Sequence, residues 1–289
     1  MVTLENEYLK VNVNPFGAQL SSVTNKNDNV EHIWQGNPDF WAYHAPNLFP
    51  VVGGCINDSI LVDGQTYPIK RHGFARNSAF KKIESSPNHA QFALRYNEET
   101  LKAFPYKFEF QVVYHLDKNH LRIIYKVINL DDKTIYFSLG AHPAFNVPFA
   151  EGESYEDYYI EFDTDENPPA HLLSTNGFFN GETKNINIEN NKLFLKPELF
   201  NADALVFKNL TSRKVSIKST QHNKTIEVEF PHFNYLGLWA KPGATFLCIE
   251  PWLGCADTEG EQIEFSKKEA IQELLHGHVF ETEFCVKIG

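Results

Sequence analysis

The stretch 106-YKFEFQVVYHLDKNHLRIIYKVINL-130 decides the fold. Its first half alternates with a period of two, so that Phe108, Phe110, Val112 and Tyr114 share one face. The second half, 120-HLRIIYKVINL-130, answers it as an antiparallel partner, and the intervening Asp-Lys-Asn reads as a hairpin turn. Working outward, the same pattern recurs in LKVNV (9–13), AQFALRY (90–96), TIYFSLG (134–140), DYYIEF (157–162) and ALVFKNL (204–210). It returns in KVSIKS (214–219), KTIEVEF (224–230), YLGLWAK (235–241) and TFLCIE (245–250). Turn-rich segments such as NKNDN, SSPNH and KPGA separate these runs.

One helix is predicted, 266-SKKEAIQELLHG-277. Ser266 caps it, Glu269 completes a capping box, Ala270, Ile271, Leu274 and Leu275 form a stripe, and Gly277 stops it. Residues 163–200 are polar and rich in Pro and Gly, and are read as long connections between sheets. Many strands, very little helix and no internal repeat predict an all-β sandwich, a single domain over residues 1–289.

The bulk properties narrow the function. With 42% hydrophobic and 14% aromatic residues the chain has material for a large core. Its 26 Lys and Arg against 37 Asp and Glu give a net charge of −11, which disfavours nucleic acid and anionic membranes as partners. No apolar run approaches the roughly 18 residues of a membrane span, and MVTLENEYLKVNV has no basic region leading into an apolar one. Cys55, Cys248, Cys255 and Cys285 show no CxxC spacing and are expected to be free thiols in a cytoplasmic protein. A small molecule is the expected partner; the oligomeric state is not legible.

Three segments put an ionisable group beside Pro, Gly or an aromatic at a strand end: 71-RHGFARNSAF-80, 140-GAHPAFNVPF-149 and 249-IEPWLGCADTEG-260. Singly, each has a plain structural explanation. His72 beside Arg71 fits an exposed turn, and His142 before Pro143 fits a packed core histidine. Glu250, between an apolar run and Pro-Trp, is harder to dismiss, because burying a carboxylate costs several kcal/mol unless it is paired or protonated. Together two histidines and a glutamate can exchange protons near neutral pH. GxSxG, GxxxxGK[ST], GxGxxG and HExxH are all lacking. His276 and His278 sit at the end of the predicted helix, where histidine also favours the dipole, and no third ligand accompanies them or the pair Cys248 and Cys255. Acid–base chemistry without metal or cofactor is therefore expected.

The ordered set HGFAR (72–76), HPAF (142–145) and C-x-EPW-x-G (248–254) resembles the aldose 1-epimerase (galactose mutarotase) superfamily, and within it the LacX-type branch. The likeness runs through HAPNLFPVVGG (44–54), ADALVF (202–207) and GLWAKPGATFLCIEPWLGCAD (237–257). It implies a β-supersandwich, with His142 as general acid toward a sugar ring oxygen, Glu250 as general base at the anomeric hydroxyl, and His72 bonding the ring-oxygen side. It also leaves choices open. Gly54 stands where branch members commonly carry a substrate-binding arginine, so either Arg71 or Arg76 substitutes for it or sugar binding is altered. Arg76 either binds substrate or pairs with an acid. Asp203 either bonds sugar hydroxyls or begins a strand. Trp252 and Phe74 either stack on a pyranose or line the core, and Trp239 is expected in the cleft. With so few cations near the motif, a neutral aldose is expected over its 6-phosphate. Competing readings are a hexose-6-phosphate 1-epimerase (a branch in which an arginine of the HGFAR segment, here Arg76, contacts phosphate), a sugar-binding module that has lost turnover, and a glycan-processing sandwich of related fold.

Overall fold

A computed structural model describes residues 1–289. Strands Phe108–Asp117 and His120–Asn129 pair antiparallel through Lys118 and Asn119, as the opening stretch predicts. They belong to a nine-stranded sheet running from Lys192–Phe194 at one edge to Lys81–Ser86 at the other, with Val279–Ile288 between Thr225–Glu229 and His120–Asn129. A second, eight-stranded sheet contains Leu205–Lys208, Tyr235–Trp239 and Phe246–Leu253 as consecutive neighbours. A four-stranded sheet is formed from residues 2–31.

The two large sheets bury one apolar core. Phe110, Tyr125 and Ile217 from the first and Leu238, Leu247 and Ile249 from the second all belong to it. Phe49 stacks on Phe110 with ring centroids 4.6 Å apart, and Phe162 meets Phe207 edge-on at 6.1 Å. Several buried polar groups in this core are satisfied by one another. Tyr125 donates to Asn47 Oδ1 at 2.7 Å, Asn47 Nδ2 donates to the carbonyls of Gly17 and Ala18, and Tyr114 donates to Ala18 at 2.7 Å. No helix is long and apolar enough to cross a membrane.

Two local expectations fail. The segment 266–277 is not helical. It forms a 3-10 turn, Phe265–Lys267, a left-handed residue at Ala270 (φ 56°) and a strand, Gln272–Leu274, paired with Ile135–Phe137. Tertiary contacts override the local propensity: Lys268 is buried against Asp257, Glu269 holds Lys208 at 2.8 Å, and Leu275 of the supposed apolar stripe is exposed. The one α-helix is Glu98–Ala103. Asn97 caps it through a reciprocal bond with Thr100, in place of the Glu or Gln of the usual signature. Residues 163–200 are more than connections, because they supply Ala170–Leu173 and Phe179–Lys184 to the second sheet and Lys192–Phe194 to the first.

Candidate active site

The strand Phe246–Leu253 organises the site. Alternate residues point to opposite faces, so Leu247, Ile249 and Leu253 enter the main core while Cys248, Glu250 and Trp252 face the other way. On one side it pairs with two short strands, Leu139–Ala141 and Ala144–Asn146. His142 and Pro143 form the break between them. Pro143 has no N–H to continue a ladder, yet its carbonyl still accepts from Ile249 at 3.2 Å. The break turns the His142 ring toward Glu250, with Nε2 3.2 Å from Oε2. Trp252 lies flat across the sheet because its neighbours on both sides are glycine. A Cβ at Gly140 would come within 2.6 Å of the indole, and one at Gly237 within 2.8 Å.

His72 reaches the same place from a loop. Its backbone is left-handed (φ 68°), a conformation that costs about 1 kcal/mol or more for a side chain and is held only where the surroundings impose it. A reciprocal clip imposes it here: His72 N–H donates to Gly53 O at 2.9 Å, and Gly53 N–H donates to His72 Nδ1 at 3.1 Å. With Nδ1 accepting, the proton of neutral His72 is on Nε2, so the ring presents a donor. Its centroid is 5.6 Å from that of His142.

These residues line a cleft of about 270 Å³, near the low end for small-molecule sites. Arg71, Arg76, Asp203, Trp239 and Trp252 line it too. Arg71 approaches Asp203 at 3.7 Å, and its guanidinium rests against Gly177. Asp203 does precede a strand, Leu205–Lys208, but with φ 96° its carboxylate is turned into the cleft. Arg76 has no carboxylate partner; it donates to Arg71 O at 2.8 Å and lies over the Tyr43 ring at 5.0 Å. Phe74 is elsewhere. It packs into the core against Phe49, Phe104 and Phe108, so it does not line the cleft.

Sequence reasoning missed Trp41, Lys241 and Phe179, all cleft-lining. Trp41 stacks on His142 (4.8 Å, 27° between planes) and meets Trp239 edge-on at 5.6 Å, forming part of the cleft wall. The signal available was a tryptophan in the Pro-flanked polar segment 37-NPDFWAYHAP-46. Gly54 does not line the cleft, because the space a side chain would need is filled by Phe178 and Gly177.

Burial governs the electrostatics. It holds His142 down at about 3, with Arg76 and Arg71 adding to the effect. It holds His72 well below the ordinary histidine value, with His142 and both arginines reinforcing it. Glu250 is pushed well above the ordinary carboxylate value by burial and by Asp203, and Arg71 opposes this. Both shifts favour the uncharged form, so the exchangeable proton of the His142–Glu250 pair is biased toward the carboxyl. Cys248, two residues before Glu250, adds its sulfur, so that His142, Cys248 and Glu250 each place a potential ligand atom within 4.8 Å of the others. That third donor escaped the sequence reading. His276 and His278 are exposed and outside this group, with His276 Nδ1 bonded to the Asp131 carbonyl.

A mutarotase-like all-β fold with a cleft on its second sheet defines the class. The sequence profile of the aldose 1-epimerase family matches residues 1–268, and the chain belongs to that family. It is 38% identical over 275 residues to protein LacX of Lactococcus lactis subsp. lactis, covering 91% of each chain. A galactose mutarotase related enzyme from Lactobacillus acidophilus superposes with a TM-score of 0.95 at 32% identity, covering all of this chain and 97% of that one. A galactose mutarotase-like protein from Lactobacillus casei gives 0.94 at 32% identity over the whole of both chains.

Proposed function

We propose that the chain interconverts the α and β anomers of a hexose by acid–base catalysed ring opening. The observation that carries this is the His142–Glu250 pair, 3.2 Å apart and almost wholly buried at the floor of a sugar-sized cleft. Opening the ring breaks C1–O5; O5 must gain a proton and the anomeric hydroxyl must lose one. His142 gives the proton to O5 and Glu250 takes the one from O1, each contributing about 10²–10⁴-fold. His72 Nε2–H faces the ring-oxygen side. The free aldehyde rotates about C1–C2, and closure from the other face runs the same transfers backward.

The direction of both shifts leans toward the middle of this cycle, where the carboxyl is loaded and the imidazole neutral. A cyclic sugar requires the proton to cross from Glu250 to His142. Arg71, which favours the carboxylate, and the sugar hydroxyls that replace water supply the bias. Arg71 also stands beside Gly177, the residue that a side chain at position 54 would meet. This supports Arg71 as the replacement for the expected arginine. Turnover is favoured over a sugar-binding module because the proton-carrying set is complete.

One observation favours an anionic sugar. The cleft presents three cations, Arg71, Arg76 and Lys241, and only Arg71 has a carboxylate partner. The sequence-level preference for a neutral aldose counted two. Polarimetry of freshly dissolved α-D-galactose, α-D-glucose and their 6-phosphates tests both readings. Mutarotation should accelerate, and Glu250→Gln and His142→Asn should each lower kcat by about 10²-fold or more with the fold intact. Near wild-type kcat in both variants would remove the mechanism. A 6-phosphate preferred at low salt, with an advantage that fades in high salt and in Arg76→Ala, selects the anionic substrate; equal or better turnover of the neutral sugars rejects it.

A further inference from the structure

We propose that the layer just beneath the cleft is also a binding site for a thiophilic divalent cation such as Zn²⁺, held by the cleft residues Glu250 and His142 and by Cys248 buried beside them, and that the bound ion shuts off the acid–base pair. Cys248 and Glu250 are two residues apart on one face of the strand Phe246–Leu253, and His142 comes from the break in the paired strand. Their donor atoms lie within 4.8 Å of one another. Zinc bonds of about 2.0–2.3 Å put tetrahedral ligands roughly 3.3–3.8 Å apart, so closure by about 1 Å completes the triad and leaves a fourth position open.

The ligand demand is already visible. Glu250 Oε2 is buried without a hydrogen-bond partner, 3.2 Å from His142 Nε2, and Cys248 is fully buried among Trp34, Ala144 and Phe246. Buried polar atoms in that condition are uncommon and call for an explanation. Sulfur, imidazole nitrogen and carboxylate oxygen are the donor set of zinc, whereas Mg²⁺ and Ca²⁺ take oxygen ligands and find one carboxylate here. Charge decides that the site is tolerable beside Arg71 and Arg76. Thiolate and carboxylate neutralise the ion, and the protons of the thiol and the carboxyl leave as it binds. A ligated Glu250 and His142 have no free site for the proton that ring opening moves. Binding stands on geometry alone; the inhibitory effect rests on the proposed epimerase reading.

Co²⁺ serves as the spectroscopic probe. Titrating the full-length protein should produce a thiolate-to-cobalt charge-transfer band that Zn²⁺ removes. The band should vanish in Cys248→Ser and persist in Cys255→Ser and in the double variant His276→Ala/His278→Ala. Zn²⁺ should slow mutarotation reversibly, with Mg²⁺ inert, and Cys248→Ser should require about tenfold more zinc or greater for the same inhibition relative to its own zinc-free rate. If Cys248→Ser misfolds, Cys248→Ala is the substitute, and zinc anomalous scattering from soaked wild-type crystals locates the ion directly. A missing band in folded protein, or one that survives loss of Cys248, overturns the site. A band without inhibition overturns the inhibitory role, and a band in a protein with no mutarotase activity counts against the epimerase reading alone.

Discussion

At the scale of the residue, the site is a small store of protons kept dry. A histidine in water changes charge near 6.5, but burial and two arginines hold His142 at about 3, so it takes up a second proton only in strong acid. Burial and Asp203 raise Glu250 above the ordinary carboxylate value. The expected profile of kcat/KM therefore lacks a limb near 6.5 from His142. A descending limb centred near 6.5, measured against the spontaneous rate, would show that His142 titrates as an ordinary exposed histidine. His72, His142 and Glu250 were legible because Gly, Pro or Trp beside each marks a chain forced into an unusual turn or a dry place. Trp41 and Lys241 were not, since a tryptophan or lysine in a polar loop reads the same whether it covers a cleft or faces water. Phe74 was misplaced for the opposite reason: its neighbours in sequence line the cleft while its own ring turns into the core.

At the scale of the element, strands were read well and irregular segments poorly. A period of two survives folding because each strand has an inner and an outer face, and the pairing of 108–117 with 120–129 follows from it. The segment 266–277 carried good local helix signals, but a helix would pull Lys268 from Asp257 and Glu269 from Lys208, and such distant partners are invisible in a local pattern. The turn Ser174–Phe178 shows the same dependence on partners. It places Gly177 under the Arg71 guanidinium and Phe178 where a side chain at position 54 would go, its Cε1 2.9 Å from the added Cβ. Restoring an arginine by Gly54→Arg is thus expected to displace Phe178 and unseat Arg71, lowering stability by about 1–3 kcal/mol and weakening sugar binding. Denaturant unfolding with KM for the sugar checks this; tighter binding at unchanged stability would show that the loop yields freely.

At the scale of the whole molecule, one buried group couples stability to acidity outside the cleft. His32 joins the four-stranded sheet to the strand Ala144–Asn146: its N–H donates to Val23 O, its carbonyl accepts from Asn146, and its ring lies edge-on to Phe149. Both ring nitrogens are buried without partners, and burial holds the group at about 4, with Asp28 opposing and Lys224 assisting. A folded value below the unfolded 6.5 means that its full contribution is present above about pH 6.5 and is lost as pH falls toward 4. Between pH 7 and pH 5 the loss should be about 2 kcal/mol. His32→Leu should remove that share of the pH dependence in urea unfolding, and an unchanged slope would show that His32 is not its source. The central place of Val279–Ile288 has a consequence for biosynthesis. Because it lies between Thr225–Glu229 and His120–Asn129, the nine-stranded sheet remains two separate fragments, each with an open edge, while residues up to 278 emerge from the ribosome. Only the arrival of residues 279–288 joins them, so the nascent chain must wait, with sticky edges uncovered, until that strand has been made.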